Sequence, residues 1–150
     1  MKRAGRRCMQ LLDGLRLQMD TASGAGCRTV FVVDDDEAVR DMLRMLIEAD
    51  GFKVRTWRSA EAFLADHELP QSGCLVLDLE LPGMNGLDLA ETLQARHAQL
   101  PIILVSSRGD LLTSTRATGV NALGYLNKPF DNRLLMAYIR RGMAQADVSR

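Results

Sequence analysis

Five side chains in this 150-residue chain are of types that could act together: Asp34, Asp35, Asp78, Ser106 and Lys128. Each sits where a short apolar run stops. Thr29-Val30-Phe31-Val32-Val33 runs into Asp34-Asp35, Cys74-Leu75-Val76-Leu77 into Asp78, Ile102-Ile103-Leu104-Val105 into Ser106, and the run from Leu123 to Leu126 into Asn127-Lys128-Pro129. If those runs are neighbouring strands, the five groups meet at one sheet edge. Three carboxylates packed together repel, and at least one pKa rises unless a cation neutralises them. Hard oxygen ligands with room for water suit Mg²⁺, which takes one or two carboxylates plus a phosphate. Lys128 adds a fixed positive charge and Ser106 a hydroxyl. In such an anion trap the Asp78 carboxylate can attack phosphorus and form an aspartyl-phosphate. The metal and Lys128 would offset charge on the equatorial oxygens during transfer. Ser106 and Lys128 would then bind the new oxygens, and that pull could move the loop after the fourth strand.

The rest of the chain must bring these ends together. Pro82-Gly83-Met84-Asn85-Gly86 forces a loop after Asp78, because Pro, Asn and Gly favour turns. Val39, Met42, Leu43, Leu46 and Ile47 recur at helical spacing behind Asp34-Asp35-Asp36-Glu37, whose charges suit a helix N-terminus, and Gly51 ends that helix. The segment from Phe52 to Trp57 reads as a polar edge strand, and Ser59 caps a short helix to about Asp66. A third helix is expected from Gly86 to about His97, with Leu87, Ala90 and Leu93 inward. A fourth runs from an Asp110 cap to Thr118, terminated near Asn121, and a fifth follows Asp131 with Leu134, Leu135, Tyr138, Ile139 and Met143 apolar. Five strands alternating with five helices imply an α/β fold, a doubly wound parallel sheet with helices on both faces. The flavodoxin-like strand order 2-1-3-4-5 makes the four site-bearing ends neighbours.

Composition narrows the function classes. Formal net charge is zero, yet residues 1–28 carry six Lys/Arg against two Asp, and residues 29–150 carry thirteen Lys/Arg against seventeen Asp/Glu. Residues 1–28 read as a basic extension, flexible or a short helix, without the length or aromatic interleaving of a nucleic-acid module. The domain proper is expected over 29–146, with a tail at 147–150. Cys8, Cys27 and Cys74 fit neither a zinc pattern nor a disulfide framework, and Cys74 reads as a buried small hydrophobe. No apolar run is long enough to span a membrane, and Asp13 and Gly14 break up a signal peptide. These readings point to a cytoplasmic protein. Met9 and Met19 are alternative starts to Met1.

The motifs Val33-Asp34-Asp35, Leu77-Asp78-Leu79-Glu80-Leu81-Pro82-Gly83-Met84-Asn85-Gly86, Val105-Ser106-Ser107 and Lys128-Pro129-Phe130 together resemble the receiver domain of bacterial two-component response regulators. The resemblance runs from about Thr29 to Met143, and is strongest to receivers that precede LuxR-type DNA-binding domains. It implies that Asp78 is the phospho-acceptor. It implies that Asp35 ligates Mg²⁺ directly, with Asp78 and the Glu80 backbone carbonyl, and that Asp34 acts through water. Ser106 would be the switch hydroxyl, Lys128 its phosphoryl-binding partner, and Tyr125 the aromatic that swings as the hydroxyl moves. The Lys128-Pro129 peptide would be cis. Glu80 and Arg108 occupy positions that tune self-dephosphorylation, and their side chains are expected to pair over the pocket. Ser107 stands where a small Ala or Gly is common, and Asn121 where Gly is usual.

On this reading the chain is not an enzyme beyond its own phosphorylation and dephosphorylation. Its partners would be a sensor histidine kinase or phosphotransfer protein. An effector or a second copy would then dock on the fourth helix, fifth strand and fifth helix, with Leu111, Leu112, Tyr125 and Tyr138. No direct nucleic-acid contact is expected from this chain. Residues 144–150 are too few for a helix-turn-helix, so the receiver either acts by protein contact alone or has its DNA-binding part absent. Two alternatives remain: a Mg²⁺-dependent phosphohydrolase using Asp78-Leu79-Glu80, and a pseudo-receiver that keeps the fold without phosphorylation.

Overall fold

The computed structural model describes residues 28–66, 73–96, 98–112 and 114–148. The expectations for the extension before Arg28, for most of the loop from Pro70 to Gly73 and for the last two residues lie outside the described residues. Five strands form one sheet: β1 (Thr29–Val33), β2 (Lys53–Trp57), β3 (Cys74–Asp78), β4 (Ile102–Ser106) and β5 (Gly124–Asn127). Their order is β2-β1-β3-β4-β5 and every pairing is parallel, the doubly wound arrangement expected from the alternating pattern.

The period-2 rule of strands divides the interior into two layers. Phe31, Val33, Leu75, Leu77 and Leu104 face one side, against Phe63 and Leu89. Val30, Val32, Val76, Ile103 and Val105 face the other, against Leu43, Ile47, Leu135 and Ile139. Each fully buried aliphatic or Phe side chain contributes about 1.5–3 kcal/mol, and the three central strands share this burial with the helices packed on both faces. Every residue of β3 and β4 is buried, as apolar runs covered on both faces require. The edges are mixed: β2 exposes Lys53 and Arg55, and β5 exposes Tyr125 and Asn127. Cys74 is fully buried, and burial pushes its thiol up to about 12.

The helices start where the side chains permit. In α1 (Glu37–Ala49) the Asp36 carboxylate accepts the Ala38 and Val39 amides, and Gly51 follows the C-cap at φ +96°. In α2 (Ala60–Ala65) the Ser59 hydroxyl accepts the Ala62 amide at 3.0 Å. In α3 (Gly86–Ala95), Asn85 and Asp88 form a reciprocal capping box. The predicted fourth helix is a correction. It is two pieces, α4 (Gly109–Leu112) and α5 (Thr115–Gly119). Ser114 breaks it by accepting the Ala117 amide at 3.1 Å while its hydroxyl donates to the Leu111 carbonyl at 2.8 Å. Asp110 is therefore inside α4 rather than a cap, and the second piece ends at Gly119, before Asn121. In α6 (Asn132–Val148), Asp131 accepts the Arg133 amide at 2.8 Å. This helix runs two residues past the expected boundary at 146. Leu134 is exposed and Met136 buried instead, because three consecutive apolar residues cannot all face inward on a helix.

Gly86 fixes how closely α3 approaches the site. A Cβ there would meet the Leu79 Cα at 2.7 Å and the Asp78 carbonyl carbon at 3.0 Å. The Gly86 amide donates to the Leu79 carbonyl at 3.2 Å, so the helix begins directly against the backbone of Asp78 and Leu79.

Candidate functional site

Each site residue lies where strand hydrogen bonding runs out. The Asp34 amide donates to Trp57 at 3.1 Å, the Leu79 amide to Val105 at 2.9 Å, and the Lys128 amide to Ser106 at 2.9 Å. The first ties β1 to β2 and the others join β3, β4 and β5; with β1 also paired in parallel to β3, the four ends lie level and residues distant in sequence face one another. Lys128 Nζ donates to Asp34 Oδ2 at 3.0 Å and to Asp78 Oδ2 at 3.3 Å. The other oxygens are also held: Asp34 Oδ1 accepts the Asp36 amide at 2.9 Å, and Asp78 Oδ1 accepts the Glu80 amide at 3.0 Å. Both carboxylates are 3% exposed, whereas Asp35 is exposed to solvent.

Carboxylate oxygens from Asp34, Asp35 and Asp78 lie within 4.8 Å of one another. Three hard anionic donors at that spacing, with one exposed side to admit water, fit a small divalent cation. Burial raises the Asp78 pKa above the usual carboxylate value. Repulsion from Asp34 adds to this, and together they outweigh the Glu80 amide and Lys128, which pull the other way. Burial alone would lower the Lys128 pKa, but its bonds and attraction to Asp34 and Asp78 leave it raised, so the ammonium stays charged.

Ser106 is fully buried at the end of β4. Its hydroxyl donates to Glu80 Oε1 at 3.2 Å and accepts the Arg108 amide at 2.9 Å. Glu80 Oε1 also accepts the Ser107 amide at 2.7 Å and the Ser107 hydroxyl at 2.6 Å. The Ser107 hydroxyl is the main reason the Glu80 carboxyl sits below its ordinary value. The expected pairing of Glu80 with Arg108 is a correction: Arg108 bonds Asp110 at 3.0 Å, and Glu80 turns to the serines. The Ser107 amide and hydroxyl already offer Glu80 two short donors and the Ser106 hydroxyl a longer third, which leaves it no need of the guanidinium.

Tyr125 is 38% exposed, and its hydroxyl donates to the Ala117 carbonyl at 3.3 Å. Tyr138 packs over Gly124, where a Cβ would meet its ring at 2.6–2.7 Å. Leu111 is half-buried against the Phe63 layer. The Lys128-Pro129 peptide is cis.

Several contacts escaped the sequence reading, three of them on the elements that carry or flank the site. Arg40 Nη1 donates to the Asp34 carbonyl at 2.6 Å, from one turn inside α1. Glu61 of α2 accepts the Met84 amide at 2.8 Å and fills the space beside Gly83, whose φ is +74°. Arg116 of α5 bonds both Asp88 and Glu91 of α3 at 2.7 Å. Only Arg40 had a readable signal, a basic residue placed beside an acidic strand end. A cleft of about 490 Å³ lies at the opposite sheet edge, lined by residues such as Gln94, Pro101, Asn121 and Arg141. It holds none of the five residues singled out in the sequence.

Residues 30–140 match the model of the response regulator receiver domain. The chain is 38% identical over 118 residues to the transcriptional regulatory protein FixJ of Azorhizobium caulinodans, covering 78% of this chain and 56% of that protein. It is 35% identical over 137 residues to the response regulator protein TodT of Pseudomonas putida, covering 91% and 58%. The chain thus spans a little over half the length of these curated relatives. Among solved structures it is similar to the response regulator StyR, at TM-score 0.77 and 40% identity over 83% of this chain and 63% of that one. It is also similar to FixJ-N, at TM-score 0.70 and 34% identity over 78% and 94%.

Proposed function

The chain belongs to the response regulator receiver domain family, and from that premise we propose that Asp78 accepts a phosphoryl group and that the other clustered residues serve the transfer. The observation that carries this reading is Lys128 bonding Asp34 and Asp78 at once, across 94 and 50 residues of sequence. Receivers are signalling domains of two-component systems, and the phosphohydrolase alternative is set aside on that ground.

In the proposed step an Asp78 carboxylate oxygen attacks phosphorus in a phosphohistidine or a small acyl phosphate. A P–O bond forms, and the donor's P–N or P–O bond breaks. The electron pair leaves with the imidazole, which takes up a proton, or with the carboxylate. Asp35, Asp78 and the Glu80 carbonyl would hold Mg²⁺ directly and Asp34 through water; once bound, the ion offsets the charge of the carboxylates and the phosphoryl oxygens. Lys128 stays charged beside Asp78 and contributes a fixed cation to the same oxygens. The Ser106 hydroxyl binds the transferred group, and Tyr125 follows its movement. Glu80 and Arg108 tune the return reaction with water.

The donor would be a sensor histidine kinase or a phosphotransfer protein in the cytoplasm. The changed contacts would reach an effector or a second copy through α4, α5, β5 and α6, the face that holds Leu111, Tyr125 and Tyr138. Similarity to FixJ, a transcriptional regulatory protein, supports a transcriptional output, which would lie in a region other than this receiver. None of the described helices is long and apolar enough to cross a membrane.

Incubation with acetyl phosphate and Mg²⁺, followed by intact mass, tests the proposal. A gain of one phosphoryl group that disappears in Asp78→Ala is the expected result. A folded protein that gains no mass would favour the pseudo-receiver alternative.

A further inference from the structure

Resting on the phosphorylation reading above, we propose that Ser107 is a positioning residue. With Glu80 it forms a latch that engages the Ser106 hydroxyl in the unphosphorylated protein, and the latch must open before Ser106 can serve Asp78.

The geometry is that of a fully occupied hydroxyl. Ser106 has one hydroxyl proton, and the acceptor within reach of its oxygen is Glu80 Oε1, 3.2 Å away. Its acceptor side takes the Arg108 amide at 2.9 Å. A serine whose one proton is already given to a carboxylate cannot give it to a phosphoryl oxygen. The carboxylate is held in place by Ser107, through the amide at 2.7 Å and the hydroxyl at 2.6 Å, the two shortest bonds of the three. Hydrogen bonds to an ionised acceptor are about twice as strong as neutral ones. An Ala or Gly at position 107 would leave Glu80 only the backbone amide there and the long bond from Ser106 itself. Arg108 does not share the work, since its guanidinium is bonded to Asp110.

A phosphoryl group arriving at Asp78 would oppose this arrangement in two ways. It competes for the Ser106 proton, and its negative charge repels the carboxylate that holds that proton. Until it does so, the latch keeps the binding-competent arrangement a minority, which weakens the apparent affinity for any phosphoryl mimic.

The test is a calorimetric titration with beryllofluoride in the presence of Mg²⁺, on the wild type, Ser107→Ala, Ser107→Thr and Glu80→Gln. Melting temperatures without either ion are taken in parallel. Ser107→Ala and Glu80→Gln are expected to bind the fluoride about tenfold more tightly, and Ser107→Thr, which keeps the hydroxyl, to match the wild type. Equal or weaker binding by Ser107→Ala, whether or not its melting temperature falls, overturns the latch, because a merely structural serine would move only the melting. If the folded wild type takes up no beryllofluoride, the phosphorylation reading falls and the latch falls with it. If the wild type binds and Ser107→Ala is no different, only the latch falls.

Discussion

Changing Gly86 to Ala sets two known effects against each other at the foot of the phospho-acceptor loop. Gly86 opens α3, and replacing a helical glycine by alanine usually stabilises by about 0.5–1 kcal/mol. The new methyl would, however, meet backbone atoms of Asp78 and Leu79 at 2.7–3.0 Å, and backbone cannot rotate aside as a flexible side chain can. Overpacking of this kind costs about 1–3 kcal/mol. Because the obstructing atoms are main chain, the upper end applies, and the net loss is about 2 kcal/mol. For a domain of this size that lowers the melting temperature by about 8 °C. The displacement falls on Asp78 itself, so phosphorylation by acetyl phosphate should slow as well. Gly119 in α5 supplies the control, since nothing lies within 4 Å of its added Cβ. Gly119→Ala should be neutral or raise the melting temperature slightly. Calorimetric melts of both variants decide the matter. If Gly86→Ala melts with or above the wild type, the close approach of α3 to β3 does not exist as described.

Two further outcomes follow. Phe63 is buried and stands edge-on to Trp57, with centroids 4.8 Å apart, in a helix of six residues; Phe63→Ala should cost about 3–5 kcal/mol in urea unfolding, and a loss below 1 kcal/mol would show that α2 does not depend on it. Asp78 has a folded pKa above its unfolded value, so the folded state binds its proton more tightly, and the stability linked to that proton is lost as pH rises through the folded pKa. With divalent cations removed, Asp78→Asn should flatten that fall in stability measured against pH, and an unaltered profile would contradict the direction assigned to Asp78.

The sequence was legible where one physical rule acted alone. β3 and β4 stand out as apolar runs, because both of their faces are covered and nothing else satisfies such runs. The convergence of Asp34, Asp78 and Lys128 followed from strand order and needed no side-chain detail. Legibility ended where several local options had similar energies. Asp110 and Ser114 can both cap a helix, and the chain uses Ser114, which splits the predicted segment. Leu134, Leu135 and Met136 are equally apolar, and only the packing of α6 against β3 and β4 selects two of them. Glu80 was recognisable as flanking the site, but its choice of Ser107 over Arg108 depends on where the Ser107 amide and hydroxyl happen to point.

The loop between β3 and α3 is moored at two piers. Near its start Glu80 is tied to the residues closing β4, and farther along Met84 is tied to Glu61 on α2. A span so fastened yields only where a tie is let go. Release at the serines would free the Glu80 side chain while its amide stays on Asp78 and Met84 stays on Glu61, so the far pier would stand unmoved.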